Sequence, residues 1–214
     1  GVFKLAIFQD PATQNLFKWY DTDTDAYSLY QMTGQSVSLF GISYPNYTLI
    51  PSMATELIET STDNGDGTFS YTVPITEGYE WSDGNPITAE DWVFTYNTAK
   101  GLPLLGQWAA VWPSNCEVEC VTNVEAVDAY TVKISFNYDP GLTGWQYGAA
   151  LAPALSKAYW EQFATSREDL LAVSGAEAPV ASAFVYDKIE QGAFYTWSYD
   201  CLLYTSDAAD DMQC

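Results

Sequence analysis

Residues 80–92, EWSDGNPITAEDW, place two tryptophans near the acidic residues Asp83, Glu90 and Asp91. Paired carboxylates are the groups with which a glycosidase cleaves a sugar chain, one as the acid and the other as the nucleophile or base. Aromatic rings beside them would hold the sugar. The same residues also fit a turn that leads into a capped helix, so catalysis and scaffolding are two competing interpretations of this stretch.

The spacing of these residues favours the start of a helix. Thr88 stands at the N-cap position and Asp91 follows three residues later, which is the arrangement of a capping box. The helix would run to Gly101, since glycine commonly ends helices. Neighbouring residues on a helix point about 100° apart, and nothing directs Asp83 and Asp91 at a common substrate. No catalytic residue is therefore assigned.

Composition argues against several classes of function. The 214 residues include 7 basic and 28 acidic side chains, giving a net charge of −21, and no histidine. Such a chain repels nucleic-acid phosphates and anionic membrane surfaces. Without histidine it lacks the usual general base and the commonest metal ligand. We expect no nucleic-acid partner, no metal site and no cofactor, and no apolar stretch is long enough to span a bilayer.

Residues 201–214, CLLYTSDAADDMQC, differ in character from the rest of the chain. CLLYTSDAAD is the translation of TGT CTC TTA TAC ACA TCT GAC GCT GCC GAC, which resembles a sequencing-library adapter. We expect residues 201–214 to be a non-native, adapter-derived tail without a fixed fold. The natural sequence would then be a fragment that ends near Asp200. A natural acidic tail is the alternative. Without this tail the acidic residues fall from 28 to 25 and the net charge becomes −18.

Only Cys116 and Cys120, in NCEVEC, then remain of the 4 cysteines. A zinc site would need two more soft or imidazole ligands, and a chain without histidine offers only carboxylates. We expect a local disulfide formed in an oxidising compartment, with two free thiols as the alternative. The pair favours an extracytoplasmic location, although no signal sequence is present in these residues.

Residue patterns along the chain predict a mixed α/β protein. The apolar run at residues 2–8 predicts a buried strand, and residues 21–33 predict a helix that begins with acidic residues. Residues 54–61 and 68–75 flank the turn TDNGDG, which predicts a hairpin. Two further hairpins are predicted at residues 124–138 and 184–200. Two short helices are predicted at residues 156–163 and 166–173, the second opened by Ser166 with Asp169 at its N3 position.

The segment DGNPITAEDWVF, residues 83–94, resembles the signature of the family 5 extracellular solute-binding proteins, the oligopeptide- and dipeptide-binding components of ABC importers. That signature has a P-x-L-A segment, a DG hairpin and then F-x-D-G-x-P-x-T-A-x-D-V-x-F-S. The corresponding residues here are 51–54, 66–67 and 79–95. Trp92 replaces the usual small aliphatic residue, and VASAFVYDKIEQGAF replaces the usual Gly-rich strand. These departures bear on the ligand class more than on the fold.

The resemblance implies an α/β, two-lobed periplasmic-binding-protein-like fold of the large peptide-binding type that closes around its ligand by hinge bending. The fold would be incomplete, with only the first lobe and the accessory domain represented. The implied division is residues 1–46 as the first segment of lobe I, 47–168 as the accessory α/β domain, 169–200 as the truncated return segment into lobe I, and 201–214 as the adapter-derived tail.

The function implied by the resemblance is the extracytoplasmic substrate-binding component of an ABC transporter, capturing oligopeptides for import. Its expected location is the periplasm or a lipid anchor at the cell surface, and a monomer is expected. Its expected partners are a small-molecule or peptide ligand and the membrane permease of the transporter. Oligosaccharide binding within the same family is the first alternative, and a secreted glycan-acting enzyme is the second.

Aromatic residues are the candidate ligand contacts, because flat rings give a large contact area at low entropy cost. Trp108 and Trp112 form an i, i+4 pair in GQWAAVWP, where the resemblance implies an aromatic residue that reaches the cleft. Phe40 follows the segment that crosses toward the accessory domain. Trp145 and Tyr147 lie in the Gly-rich turn GLTGWQYG. Packing in the core is the alternative for each of these five residues.

Overall fold

The computed structural model describes residues 6, 8, 13–21, 28, 36–102, 104, 120–182, 184–190 and 192–199. Most of the predicted first strand and of the predicted helix at residues 21–33 lies outside this part of the chain. The same holds for Trp108, Trp112, Cys116 and the whole of residues 201–214. Those predictions, and the domain boundaries, stay predictions.

The described part of the chain contains both helices and strands, as predicted for a mixed α/β protein. The strands are β1 Phe40–Ile42, β2 Leu49–Pro51, β3 Thr62–Asp63, β4 Phe69–Pro74, β5 Val121–Asp128, β6 Thr131–Phe136, β7 Phe184–Glu190 and β8 Phe194–Tyr199. The α-helices are α1 Ala89–Gly101, α2 Lys157–Trp160 and α3 Arg167–Ala172. Three further helical segments are Leu16–Tyr20, Gly141–Ala149 and Glu161–Phe163.

The main sheet is antiparallel and has the strand order β3-β4-β6-β5. Val132, Ile134 and Phe136 of β6 are fully buried, as their alternation with polar residues predicts. Helix α1 packs on β5 and β6. Lys133 and Glu125 form an ion pair at 3.3 Å on these two strands and remain partly exposed. One face of the sheet therefore builds the core and the other faces solvent.

The helix starts that were predicted from capping residues are confirmed. The backbone N–H of Thr88 donates to the Asp91 carboxylate at 2.9 Å, and α1 ends at Gly101 as predicted. The hydroxyl of Ser166 accepts a bond from the N–H of Asp169 at 3.1 Å at the start of α3. Both helices begin where a side chain can satisfy a backbone N–H that has no partner within the helix.

The hairpins are confirmed, with one difference at residues 54–61. The turn between β3 and β4 closes where Asn64 N–H donates to the Thr68 carbonyl at 3.0 Å. Residues 54–61 form no strand beyond an isolated bridge at Ala54. The backbone of this segment bonds elsewhere, since the Ile58 carbonyl accepts a bond from the Trp145 indole at 2.9 Å.

Residues 13–21 are tied to a segment about 150 positions later in the chain. The Asp21 side chain is only 1% exposed, and its carboxylate accepts bonds from Nη2 of Arg167 at 2.6 and 2.9 Å. The side-chain amide of Asn15 donates to the carbonyls of Leu170 and Val173, both at 2.8 Å. A nearly buried carboxylate needs such a partner, because an unpaired buried charge is costly.

Cys120 is disulfide-bonded, and the other three cysteines lie outside the described residues. The Cys116–Cys120 pairing therefore stays a prediction. Among the residues that the structure describes, no helix combines the length and the apolar character needed to cross a membrane.

Candidate functional site

Asp91, one member of the candidate acid pair, uses both carboxylate oxygens inside the protein. Oδ2 accepts bonds from Thr88 N–H at 2.9 Å and from the Trp81 indole at 3.4 Å. Oδ1 accepts a bond from the N–H of Lys157, the first residue of α2, at 2.8 Å. Burial raises the pKa of Asp91, and these donors and the Lys157 charge oppose the shift. The residue joins a turn and two helices.

Asp83, the other member, lies in an exposed turn and bonds only locally. Its carboxylate accepts bonds from the backbone N–H of Asn85 at 3.1 Å and from the Asn85 side chain at 2.8 Å. Gly84 has φ +81°, which glycine adopts without strain, and its N–H donates to the Trp81 carbonyl at 2.8 Å. One carboxylate fixes a turn and the other fixes a helix, as the scaffolding interpretation predicts.

Two of the five candidate ligand contacts lie in a buried aromatic cluster. Trp145 stacks on Tyr71 with ring centroids 3.7 Å apart and an interplanar angle of 7°. Phe40 meets Trp145 edge-on at 5.8 Å. Phe40 is 0% exposed and Trp145 is 1% exposed, so neither ring presents a face to solvent. Packing in the core, the alternative left open by the sequence, describes both residues, and their contact with a ligand stays a prediction.

The phenol of Tyr71, in this cluster, links the stability of the protein to pH. Burial, and secondarily the negative charge of Asp139, raise the pKa of Tyr71 to about 12. The value in the unfolded chain is about 10. The stabilisation that comes from keeping the Tyr71 phenol neutral is therefore fully present below about pH 10. It is lost as the pH rises toward 12.

We accordingly expect the unfolding free energy to fall as the pH rises above about 10. Tyr71→Phe should make this decline shallower, because phenylalanine has no proton to lose. Urea unfolding followed by far-UV circular dichroism between neutral and alkaline pH measures both slopes. Buried Tyr20 and Tyr96, whose pKa values burial also raises, should supply the slope that remains. Equal slopes in the variant and the parent protein would contradict the assignment to Tyr71.

Tyr147 is a third candidate, and the structure places it at the surface. Its ring is 43% exposed, and its hydroxyl donates to the Tyr47 carbonyl at 3.0 Å. The side chain of Gln146 donates to the same carbonyl at 3.3 Å. Tyr44 is 85% exposed and Tyr47 is 58% exposed, with their rings edge-to-face at 6.0 Å. We call Tyr44, Tyr47 and Tyr147 the tyrosine patch.

The loop of residues 43–48 between β1 and β2 holds two members of this patch. The N–H of Ser43 donates to the Thr48 carbonyl at 2.9 Å, and their hydroxyls bond at 2.7 Å. Tyr47 N–H donates to the Ser43 carbonyl at 2.8 Å. Sequence reasoning missed Tyr44 and Tyr47, although two tyrosines around Pro-Asn in a short turn are a usable signal for exposed rings.

The structure describes three of the five predicted contacts and places them in two different settings. Trp108 and Trp112 lie outside the described residues, Phe40 and Trp145 lie in the core, and Tyr147 lies at the surface. In the described ranges no three or more His, Cys, Asp or Glu side chains are grouped to hold a metal ion.

The arrangement of helices and strands matches part of the fold of the periplasmic oligopeptide-binding proteins. AppA from Bacillus subtilis in complex with a nonapeptide matches with a TM-score of 0.65 and 18% identity, over 84% of this chain and 33% of AppA. The mannohexaose-bound oligopeptide-binding protein of an ABC transporter from Thermotoga maritima matches with a TM-score of 0.60 and 22% identity, over 86% of this chain and 30% of that protein.

The model of the bacterial extracellular solute-binding proteins, family 5 (middle region), matches residues 48–193, and the chain belongs to this family. The family expected from residues 83–94 is thereby confirmed. NikZ from Campylobacter jejuni, in complex with Ni(L-His), shares the fold with a TM-score of 0.64 and 18% identity, over 91% of this chain and 34% of NikZ. This chain spans about a third of the length of these solved structures. No curated protein sequence matches it.

Proposed function

We propose that this chain belongs to the extracytoplasmic substrate-binding component of an ABC transporter, which captures oligopeptides and delivers them to a membrane permease. The observation that carries the proposal is the family match across residues 48–193, together with the fold shared with nonapeptide-bound AppA. The local chemistry agrees, because the acidic residues of the signature segment stabilise a turn and a helix.

Capture of varied peptides requires binding contacts and no catalytic side chain. Peptide binders hold the backbone of the ligand through main-chain hydrogen bonds, and roomy pockets accept its varied side chains. A hinge closes two lobes around the ligand. We place Trp108 and Trp112 at this cleft, as the family resemblance implies, and propose a monomer at the periplasmic or outer face of the membrane.

Calorimetry on the full-length protein tests the ligand class. A pool of random short peptides should release or absorb heat on binding, and cello- and xylo-oligosaccharides should not. Trp108→Ala and Trp112→Ala should each weaken peptide binding by about tenfold, the effect of losing a buried aromatic contact. Tyr79→Ala, which removes an exposed ring elsewhere, is the matched control. Binding of sugars alone would overturn the peptide proposal, and unchanged affinity would remove the two tryptophans from the cleft.

Oligosaccharide capture is the second candidate. The specific observation in its favour is that one protein of the same fold was solved with bound mannohexaose. The chain also contains 8 tryptophans, the residue type on which sugar rings stack most readily. The calorimetric comparison separates this candidate from peptide capture directly.

A further inference from the structure

We propose that the tyrosine patch is a surface contact for neutral saccharide chains, which makes Tyr147 a contact for this second ligand and not for the imported one. The three residues come from two separate places in the chain, the β1–β2 loop and the helical segment Gly141–Ala149. All three rings are well exposed, Tyr44 most of all at 85%. Such exposure is unusual for large aromatic side chains, which are highly buried on average.

Two hydrogen bonds from the second segment hold the backbone of the β1–β2 loop in place. The Tyr47 carbonyl accepts two side-chain bonds, from Tyr147 at 3.0 Å and from Gln146 at 3.3 Å. Tyr47 itself has φ +55°, which is uncommon for a bulky residue that is not glycine. Backbone strain of this kind persists only where surrounding contacts enforce it, and it occurs most often at ligand sites. The backbone of Tyr47 is therefore fixed against the segment that carries Tyr147 before any ligand arrives.

The charge distribution selects a neutral ligand. The protein has a net charge of −21, yet residues 26–55 and residues 140–156 contain no charged side chain. The patch is built from these two segments, which themselves supply no counter-ion to a charged ligand. An anionic polymer would also be repelled by the rest of the surface.

Among neutral ligands, a saccharide has the chemistry that exposed tyrosine rings can bind. The C–H faces of a pyranose ring pack on the faces of aromatic rings, and its hydroxyls bond to phenol and amide groups. The hydroxyls of Tyr44 and Tyr47, and the exposed residue Asn46 that lies between them in the chain, supply such groups. A protein partner is the weaker match, because a stable interface takes about 20–30 residues a side and charges that steer the encounter.

Affinity gel electrophoresis tests the proposal on the full-length protein. The acidic protein migrates in native gels that contain soluble glucomannan, xylan or hydroxyethyl cellulose, or no polymer. These polymers are too long to be enclosed between two lobes, so retardation reports on the surface. We expect at least one of them to retard the protein, and Tyr44→Ala to weaken that binding about fivefold.

Three further variants make the test specific. Tyr47→Gly removes a ring at a backbone conformation that glycine accepts, so it should weaken binding without disturbing the loop. Tyr44→Phe keeps the ring and should retain retardation. Tyr79→Ala removes a ring of comparable exposure, 51%, outside the patch and should migrate like the parent protein.

The outcomes separate this proposal from the import function. Peptide binding in the calorimeter should be unchanged by Tyr44→Ala. A negative gel result would leave the peptide proposal intact, and a negative calorimetric result would leave the saccharide proposal intact. Absence of retardation by all three polymers would overturn the proposal, as would equal retardation of Tyr44→Ala and Tyr79→Ala. Loss of peptide import with unchanged gel mobility would assign the patch to the permease and would also overturn it.

Discussion

Trp145→Ala should lower the unfolding free energy by about 4 kcal/mol, within the usual range for truncating a buried tryptophan. The ring is 1% exposed and stacks on Tyr71 at 3.7 Å, and Phe40 packs edge-on against it. Its indole N–H also donates to the Ile58 carbonyl, which would lose that partner. Urea unfolding followed by far-UV circular dichroism measures the loss without depending on tryptophan emission.

Tyr147→Ala, two residues further along the same helical segment, is the matched control. Its ring is 43% exposed, so its removal should change the unfolding free energy by less than about 1 kcal/mol. The pair of variants also decides between the two roles considered for Trp145. A large loss of stability identifies a core residue. Preserved stability combined with weaker ligand binding would instead establish the ligand contact that the sequence predicted.

The elements that depend on local pattern could be predicted from the sequence. Alternating side chains predicted β6, because a strand with one buried face repeats every two residues. Capping residues predicted the first turns of α1 and α3 within a residue, since the spacing of cap and N3 position is set by helix geometry. The signature segment at residues 83–94 predicted the family, which the match over residues 48–193 confirms.

Contacts between distant segments could not be predicted in this way. Nothing in the pattern of residues 54–61 shows that the Ile58 carbonyl would bond to Trp145, 87 positions away, in place of a strand ladder. The third donor to Asp91 is likewise the backbone of Lys157, 66 positions later. These contacts depend on how helices and strands pack against one another. The residue pattern of a segment predicts only the secondary structure of that segment.

The candidate site, too, could be predicted only in part from the sequence. Residue type selected Phe40, Trp145 and Tyr147 together as aromatic contacts, but burial separates the first two from the third. The turn residues in SYPNYT favour exposed rings at Tyr44 and Tyr47. The bonds from Gln146 and Tyr147 to the Tyr47 carbonyl, which complete the tyrosine patch, are visible only in the folded structure.

Asp91→Ala should lower the unfolding free energy by about 3 kcal/mol, because three N–H donors lose their acceptor at once and each is worth roughly 1 kcal/mol. Those donors belong to Thr88, Trp81 and Lys157. The loss therefore loosens the start of α1, the preceding turn and the start of α2 together. The 4% exposure of Asp91 leaves water little room to replace the carboxylate. Urea unfolding at neutral pH gives the magnitude.

Asp83→Ala provides the comparison that separates scaffold from catalyst. Asp83 is exposed and bonds only to Asn85, so its removal should cost less than about 1 kcal/mol. A binding protein with Asp91 as scaffold should show unequal losses of stability in the two variants, and peptide affinity close to that of the parent wherever the variant is folded. A glycosidase acid pair would behave in the opposite way, since loss of either carboxylate removes hydrolysis whatever the stability. Parallel loss of a hydrolytic activity in Asp83→Ala and Asp91→Ala would overturn the scaffolding role, and with it the assignment of this chain to a binding protein.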